Sequence, residues 1–354
     1  MKVLIITQKV NAADDVLGFF QYWLWEFWHK KEVEKPITVI CLERGVHDFP
    51  EEDFRILSLG KERKRSRILY LWLFFKLIWS ERNHYDHVFV HMNPVYVVLG
   101  GIFWRWQGKR IGLWYVHRNV DLKLRIAEKL AHVIWSTTPD AFRLKSKKVN
   151  FIGHGVNFRQ FPRKENHINH IFTILHVGRI TPIKNIKILI ETARILKKRG
   201  RDFKIFLLGP TMIPSDETYK KELEMLIERY GLQATVQFLG KVAFSNVAWD
   251  YQRADVSVNL TPTGGMDKAV LESIASGTVA LSTNRAFEGL FGDCAGHLFC
   301  NEEDPEDTAN KIMAVMDMRP TQRKEIEDYL YERARARFDL DTLIGHIIGD
   351  FKSA

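Results

Sequence analysis

The chain has 354 residues, 46% hydrophobic and 27% charged, with 22 Gly and 11 Pro, a globular composition that excludes a disordered, collagen-like or repeat protein and is long enough for two domains. Its three cysteines, Cys41, Cys294 and Cys300, stand in no ligand spacing, which argues against a disulfide framework or a structural zinc and suits a reducing compartment. The formal net charge of +9 is uneven: residues 1–165 carry 28 basic and 17 acidic side chains, a net of +11, so the first half is expected to face something anionic.

In chain order, MKVLIIT opens as a strand rather than a leader, because its apolar run is short and leads into Gln8 and Lys9 without a cleavage site. Runs rich in Val and Ile follow at 37–42, 54–59, 88–91, 111–116, 133–136 and 149–153. They lack period-2 alternation, so they read as strands buried on both faces of a parallel sheet, with crossover helices between them. Residues 161–170, FPRKENHINH, read as a linker. A second series occupies 172–177, 203–208, 235–238, 256–259, 279–282 and 298–300, with helical patterns at 185–199, 216–230, 267–276 and 305–317. The expected architecture is α/β, with two Rossmann-like doubly wound domains, 1–160 and 171–320, facing a cleft. The helical tail 321–354 is expected to cross back onto the first domain.

Two segments of the basic half stand apart. Residues 17–28, LGFFQYWLWEFW, hold seven aromatic side chains, and the run KERKRSR at 61–67 leads directly into ILYLWLFFKLIW. Cations followed by an apolar helix with Trp and Tyr suit a helix lying in a membrane interface. The alternative is two core helices crossing the first sheet. Residues 68–79 are interrupted by Lys76 and fall short of the roughly 20 apolar residues a spanning helix needs. No nucleic-acid-binding signature occurs, so no nucleic-acid partner is expected.

Ligands of open parallel sheets bind beyond the carboxyl ends of the strands, so chemistry is sought in the loops there. The strand at 174–177 ends in Gly178-Arg179-Ile180-Thr181-Pro182-Ile183-Lys184-Asn185, a glycine for close backbone approach and two cations able to hold a diphosphate. A solvated loop with two surface charges is the plain alternative. Gly264-Gly265-Met266-Asp267-Lys268 precedes the helical pattern at 267–276 and offers unblocked N–H groups and a positive helix end to an anion. Glu272, about one turn into that helix among apolar residues, is either a solvent-facing side chain or an acceptor for vicinal ribose hydroxyls.

The order VGRITPIKN, FLLGP, VQFLGKV and PTGGMDKAVLESIASGTVALST, over roughly residues 172–285, resembles the donor domain of family 4 glycosyltransferases of the GT-B fold. The resemblance implies that Arg179 and Lys184 bind a donor diphosphate and Glu272 the nucleotide ribose. Gly178, Gly209, Val242, Gly264, Gly265, Met266, Asp267 and Lys268 would line the same donor site. On the first domain it implies that the loop 11–18, with Gly18, lies near the donor phosphates. His117, after LWYV, would lie beside the reacting sugar carbon, and His91-Met92-Asn93 would line the cleft. The turn Gly153-His154-Gly155-Val156-Asn157 would leave the first domain.

The implied activity is a retaining hexosyl transfer from a nucleotide-diphosphate sugar to a glycan or lipid acceptor. It would need no metal and no cofactor and would take place in the cytoplasm, peripherally on the inner face of the cytoplasmic membrane. The sequence departs from the family at Gly264, where the first Glu of the E-x7-E motif usually contacts the transferred sugar. That departure leaves open a changed donor-sugar contact or a degenerate nucleotide-sugar-binding scaffold. The enzyme alternative is a nucleotide-sugar epimerase or hydrolase of the same architecture.

Overall fold

The computed structural model describes all residues except Asp15, Val16, Glu165–Ile168, Phe244, Ser245 and Ala354. Two compact units result, Met1–Gly155 with Leu340–Ala354, and Val156–Asp339.

The first unit holds seven parallel strands: β1 (Val3–Val10), β2 (Ile37–Arg44), β3 (Phe54–Ser58), β4 (His87–His91), β5 (Arg110–Trp114), β6 (Val133–Ser136) and β7 (Val149–Phe151), in the order β3-β2-β1-β4-β5-β6-β7. Consecutive β1 residues explain the unbroken apolar runs. Val3 and Ile5 enter the core on one face with Phe20, Trp23 and Phe27, while Leu4 and Ile6 pack on the opposite face with Phe74, Ile78 and Trp104. The aromatic segment at 17–28 is therefore a core helix, Phe20–His29, and the interfacial expectation for it is corrected. Trp23, fully buried, meets Trp114 at 5.1 Å and Phe89 at 6.1 Å between ring centroids.

The second unit holds β8 (Phe172–Val177), β9 (Phe203–Leu208), β10 (Val236–Gly240), β11 (Val256–Asn259) and β12 (Val279–Ser282), all parallel, in the order β10-β9-β8-β11-β12. The strand expected at 298–300 is absent. Ala295–Leu298 is a helical turn, and only Phe299 bridges Ser282 before Asp304 caps the helix Pro305–Met316.

The expected domain limits shift for reasons of packing. Within 161–170, Phe161 is buried in the second core, Lys164 pairs with Glu327 at 3.0 Å, and Asn169 Nδ2 donates to Asp255 at 2.8 Å. The ends of that segment thus belong to the second unit, while residues 165–168 lie outside the described residues. The helical tail divides. Pro320–Phe338 buries Leu330, Ala334 and Phe338 in the second core, and Leu340–Ser353 buries Leu343, Ile344, Ile347 and Ile348 in the first. Asp350 fixes the last helix by accepting from Trp135 Nε1 at 2.6 Å and Asn150 Nδ2 at 2.8 Å.

Candidate active site

In the second unit the strand order reverses between β8 and β11, the switch point at which open parallel sheets seat ligands. The loops leaving these two strands are joined there by an ion pair between Lys184 Nζ and the Asp267 carboxylate, both largely buried. Asp267 Oδ2 also accepts from Asn259 Nδ2 at 2.9 Å and Thr261 Oγ1 at 3.2 Å. Its Oδ1 accepts from Ala269 N at 3.2 Å, capping the helix Lys268–Ala275. Burial works against the charged form of Asp267, but Lys184 and these bonds outweigh it and hold its pKa at about 2. Asn185, in a left-handed conformation at φ 50°, donates from Nδ2 to Leu260 O at 3.1 Å and ties the same two loops again.

Glycine stands at the carboxyl end of three neighbouring strands: Gly178 after β8, Gly209 after β9 and Gly240 closing β10, with φ of 155°, 145° and 73°. A Cβ on Gly209 would lie 1.9 Å from Gly178 O, so no side chain fits there. Beside them opens a cavity of about 210 Å³ lined by Pro210, Thr211, Lys220, Phe238 and Lys241. Lys220 Nζ lies 5.5 Å from the Phe238 ring centroid.

The loop before the helix Lys268–Ala275 is braced from behind. Asn284 Nδ2 donates to Gly265 O at 2.9 Å and Thr283 Oγ1 to Thr261 O at 2.9 Å, while Gly264 and Met266 are buried. Glu272 is buried, and burial raises its carboxyl pKa against the opposing charge of Lys268, half-buried one turn earlier. It is not the solvent-facing residue that the plain alternative supposed. Arg179 is exposed on its loop. Val242 is half-buried against the second core.

Three further residues of this site escaped the sequence reading. His176, on β8, is fully buried, which together with Lys184 pushes its pKa down to about 4. It is therefore neutral, with Nδ1 donating to Val258 O at 3.2 Å and Nε2 left as the lone-pair nitrogen. Asn284 follows β12 in a Ser-Thr-Asn run with no glycine to mark it. Asp216 opens the helix Pro214–Arg229 and accepts from Met212 N at 3.1 Å. Its place in an acidic first turn was the available signal.

The expected residues of the first domain lie in the other unit. His117 is exposed, three residues beyond β5, edge-on to Tyr115 at 5.6 Å. Gly18 packs so closely that a Cβ would lie 2.4 Å from Asp14 O. Asp14 accepts from Leu17 N at 2.7 Å and pairs with Lys9 at 2.8 Å, while Asp15 and Val16 of that loop lie outside the described residues. His91 is a correction. It is buried against Phe20 at 4.2 Å and Trp23 at 5.5 Å, an aromatic core residue rather than a loop group open to ligand.

Residues 157–336 match the family model described as glycosyl transferases group 1. Among curated proteins, the chain is 27% identical over 170 residues to the alpha-monoglucosyldiacylglycerol synthase of Streptococcus pneumoniae, covering 47% of this chain and 36% of that protein. It is 24% identical over 169 residues to the GDP-Man:Man(3)GlcNAc(2)-PP-Dol alpha-1,2-mannosyltransferase of Mus musculus, covering 45% and 34%. The chain thus spans about a third of the length of these relatives. Among solved structures it is similar to Anabaena HepE in complex with UDP, with a TM-score of 0.76, 17% identity and both chains fully covered. It is also similar to the sucrose-phosphate synthase of Thermosynechococcus elongatus, with a TM-score of 0.75, 14% identity and full coverage of both. These likenesses extend to the fold.

Proposed function

Because the chain belongs to the glycosyl transferases group 1 family, we propose that it transfers a hexose, with retention, from a nucleotide-diphosphate sugar to a glycan or lipid acceptor. The observation that carries this reading is the Lys184–Asp267 pair at the switch point of the second unit, beside strand ends stripped of side chains. Negative charge grows on the diphosphate as the glycosidic bond breaks. A cation already fixed by a buried carboxylate stabilises that charge without reorganising. Arg179, exposed on the same loop, supplies a second cation, and the N–H groups opening the helix Lys268–Ala275 supply a positive dipole end. Cations and a helix end thus take the part a metal would play in neutralising the leaving group.

Glu272 would accept from the ribose hydroxyls, which offsets the cost of burying its carboxylate. The cavity beside Phe238, with Gly209 on its wall, fits a planar base. His117 would orient the sugar from the first unit. With Gly264 in place of a carboxylate, the sugar would be read by backbone and by Lys268 instead. Two relatives carry diacylglycerol and PP-Dol in their names, which supports a lipid or lipid-linked acceptor. With such an acceptor the protein would work peripherally, on the inner face of the cytoplasmic membrane.

The test is a thermal-shift panel of nucleoside diphosphates and their sugars, since a ligand that binds the folded state raises the melting temperature. Product analysis with and without lipid-linked acceptors follows. Turnover only with acceptor is expected. Turnover of donor alone would favour an epimerase or hydrolase, and binding without turnover a scaffold.

A further inference from the structure

The two aromatic segments of the first unit meet opposite fates, and the second of them is not used up by the core. The helix Arg67–Ser80 buries Phe74 and Ile78 and turns a different stripe outward: Ile68, Trp72, Phe75 and Trp79, spaced by four, three and four residues along one face. Ile68 is 82% exposed, Trp72 55% and Trp79 51%. The stripe continues onto the helix Pro94–Trp106, because Trp79 meets Phe103 at 5.6 Å and the adjoining Ile102 and Trp106 are 74% and 76% exposed. Isolated exposed apolar side chains are ordinary, but a run of tryptophans across two helices marks an interaction surface.

Charge identifies what covers it. Lys64, Arg65 and Arg67 lead into the helix and make no salt bridge among the described residues. Lys76 lies over the Trp72 ring at 5.0 Å and Arg82 over Trp79 at 4.6 Å, cationic tips beside apolar bodies. We infer that this face docks on an anionic lipid bilayer, its rings at headgroup depth and its cations on phosphates. No helix among the described residues is long and apolar enough to cross a membrane, and this one has 14 residues, so it lies in the interface. A second copy of the chain fits poorly, because a two-fold contact through this face would set like cations against each other. The inference deepens the reading of a membrane-borne acceptor, but lipid binding is measured without donor or acceptor and so stands or falls separately.

The experiment is co-sedimentation with vesicles of phosphatidylcholine alone and of phosphatidylcholine mixed with phosphatidylglycerol. It compares the wild type with the variants Lys64→Gln/Arg65→Gln/Arg67→Gln and Trp72→Ser/Phe75→Ser/Trp79→Ser. All substituted positions except Arg65 are exposed, so both variants are expected to keep the melting temperature and UDP affinity of the wild type. Those two readings show that a change in lipid binding is not a failure to fold. The wild type should prefer anionic vesicles, with affinity that falls as salt rises. The charge variant should lose about fivefold per cation, roughly 100-fold in all. The aromatic variant should bind neither vesicle. No binding by the wild type, equal binding to both vesicles, or both variants binding as wild type would overturn the inference. So would a wild-type dimer that the aromatic variant abolishes.

Discussion

In the second unit, the loops beyond the two strands at the switch point are joined by buried charge, Lys184 to Asp267 with Asn259 and Thr261 around them. In the first unit, the carboxyl-end half of β1 and the loop beyond β4 are joined by a neutral amide pair, Asn93 Nδ2 to Gln8 Oε1 at 3.3 Å, above a core of Trp23, Phe89 and Trp114. The same strand order therefore supports two uses of burial. One unit spends it on holding a cation in a fixed place, the other on packing rings. A buried ion pair adds little to stability relative to apolar packing, so its retention points to a ligand, whereas a ring core needs no ligand to explain it.

The sharpest break of that contrast is Lys184→Ala. Removing the cation leaves Asp267 buried without it, at a cost of about 3–5 kcal/mol in stability. The same change removes a charge-assisted contact to the diphosphate, worth about 2–3 kcal/mol of binding. The double change Lys184→Ala/Asp267→Asn should recover most of the melting temperature but none of the affinity, by calorimetry, for the nucleoside diphosphate that the thermal-shift panel selects. Recovery of both would show the pair to be purely structural. Trp23→Ala is the counterpart in the first unit. It should cost about 3–5 kcal/mol in denaturant titration and leave the affinity for that nucleoside diphosphate untouched in the folded protein. Loss of affinity there would mean that the ring core bears on the donor site.

A third prediction uses pH. The folded pKa of His176 is depressed from 6.5 to about 4 because burial favours the neutral ring. The stability this gives is full above pH 6.5 and is lost as pH falls towards 4, on the order of 3 kcal/mol in all. His176→Gln should flatten the slope of melting temperature between pH 6.5 and 4, whatever its effect at pH 7. An unchanged slope would place the acid sensitivity elsewhere. The smallest expected effect is that of Glu272→Gln, about tenfold weaker nucleoside-diphosphate binding, the worth of one hydrogen bond, with both limbs of the pH–rate profile kept. Loss of one limb would make Glu272 an acid–base group rather than a ribose acceptor.

Most of the donor loop was legible in one dimension. Glycines at strand ends and a Gly-Gly before a helix announce backbone that must come close to something, and their residue types alone carry that message. Asn284 and His176 were not legible, because each acts through a loop or strand distant in sequence, and a lone Asn or His has no local pattern. Asp267 was visible as a site residue but not as the partner of Lys184, 83 positions away. The departure at Gly264 was visible too, whereas the bracing of its loop by Asn284 was not.

The sequence by itself determined most of the strands and helices, the run at 298–300 excepted, because burial on both faces of a parallel sheet forces unbroken apolar runs and leaves punctuation in the loops. It also determined that the basic charge lies in the first half. It did not determine where the units part within the helical tail, or which of two aromatic helices is core. LGFFQYWLWEFW and ILYLWLFFKLIW are both apolar and rich in aromatic residues, and periodicity cannot say which face of each meets a neighbour. Tertiary structure decided that, because the helix Phe20–His29 is covered by the sheet and by the last helix, Leu340–Ser353, whereas Arg67–Ser80 is covered on one side only, where Phe74 meets Tyr96 and Trp104 of the helix Pro94–Trp106. An apolar side chain is buried only where another element is there to remove it from water.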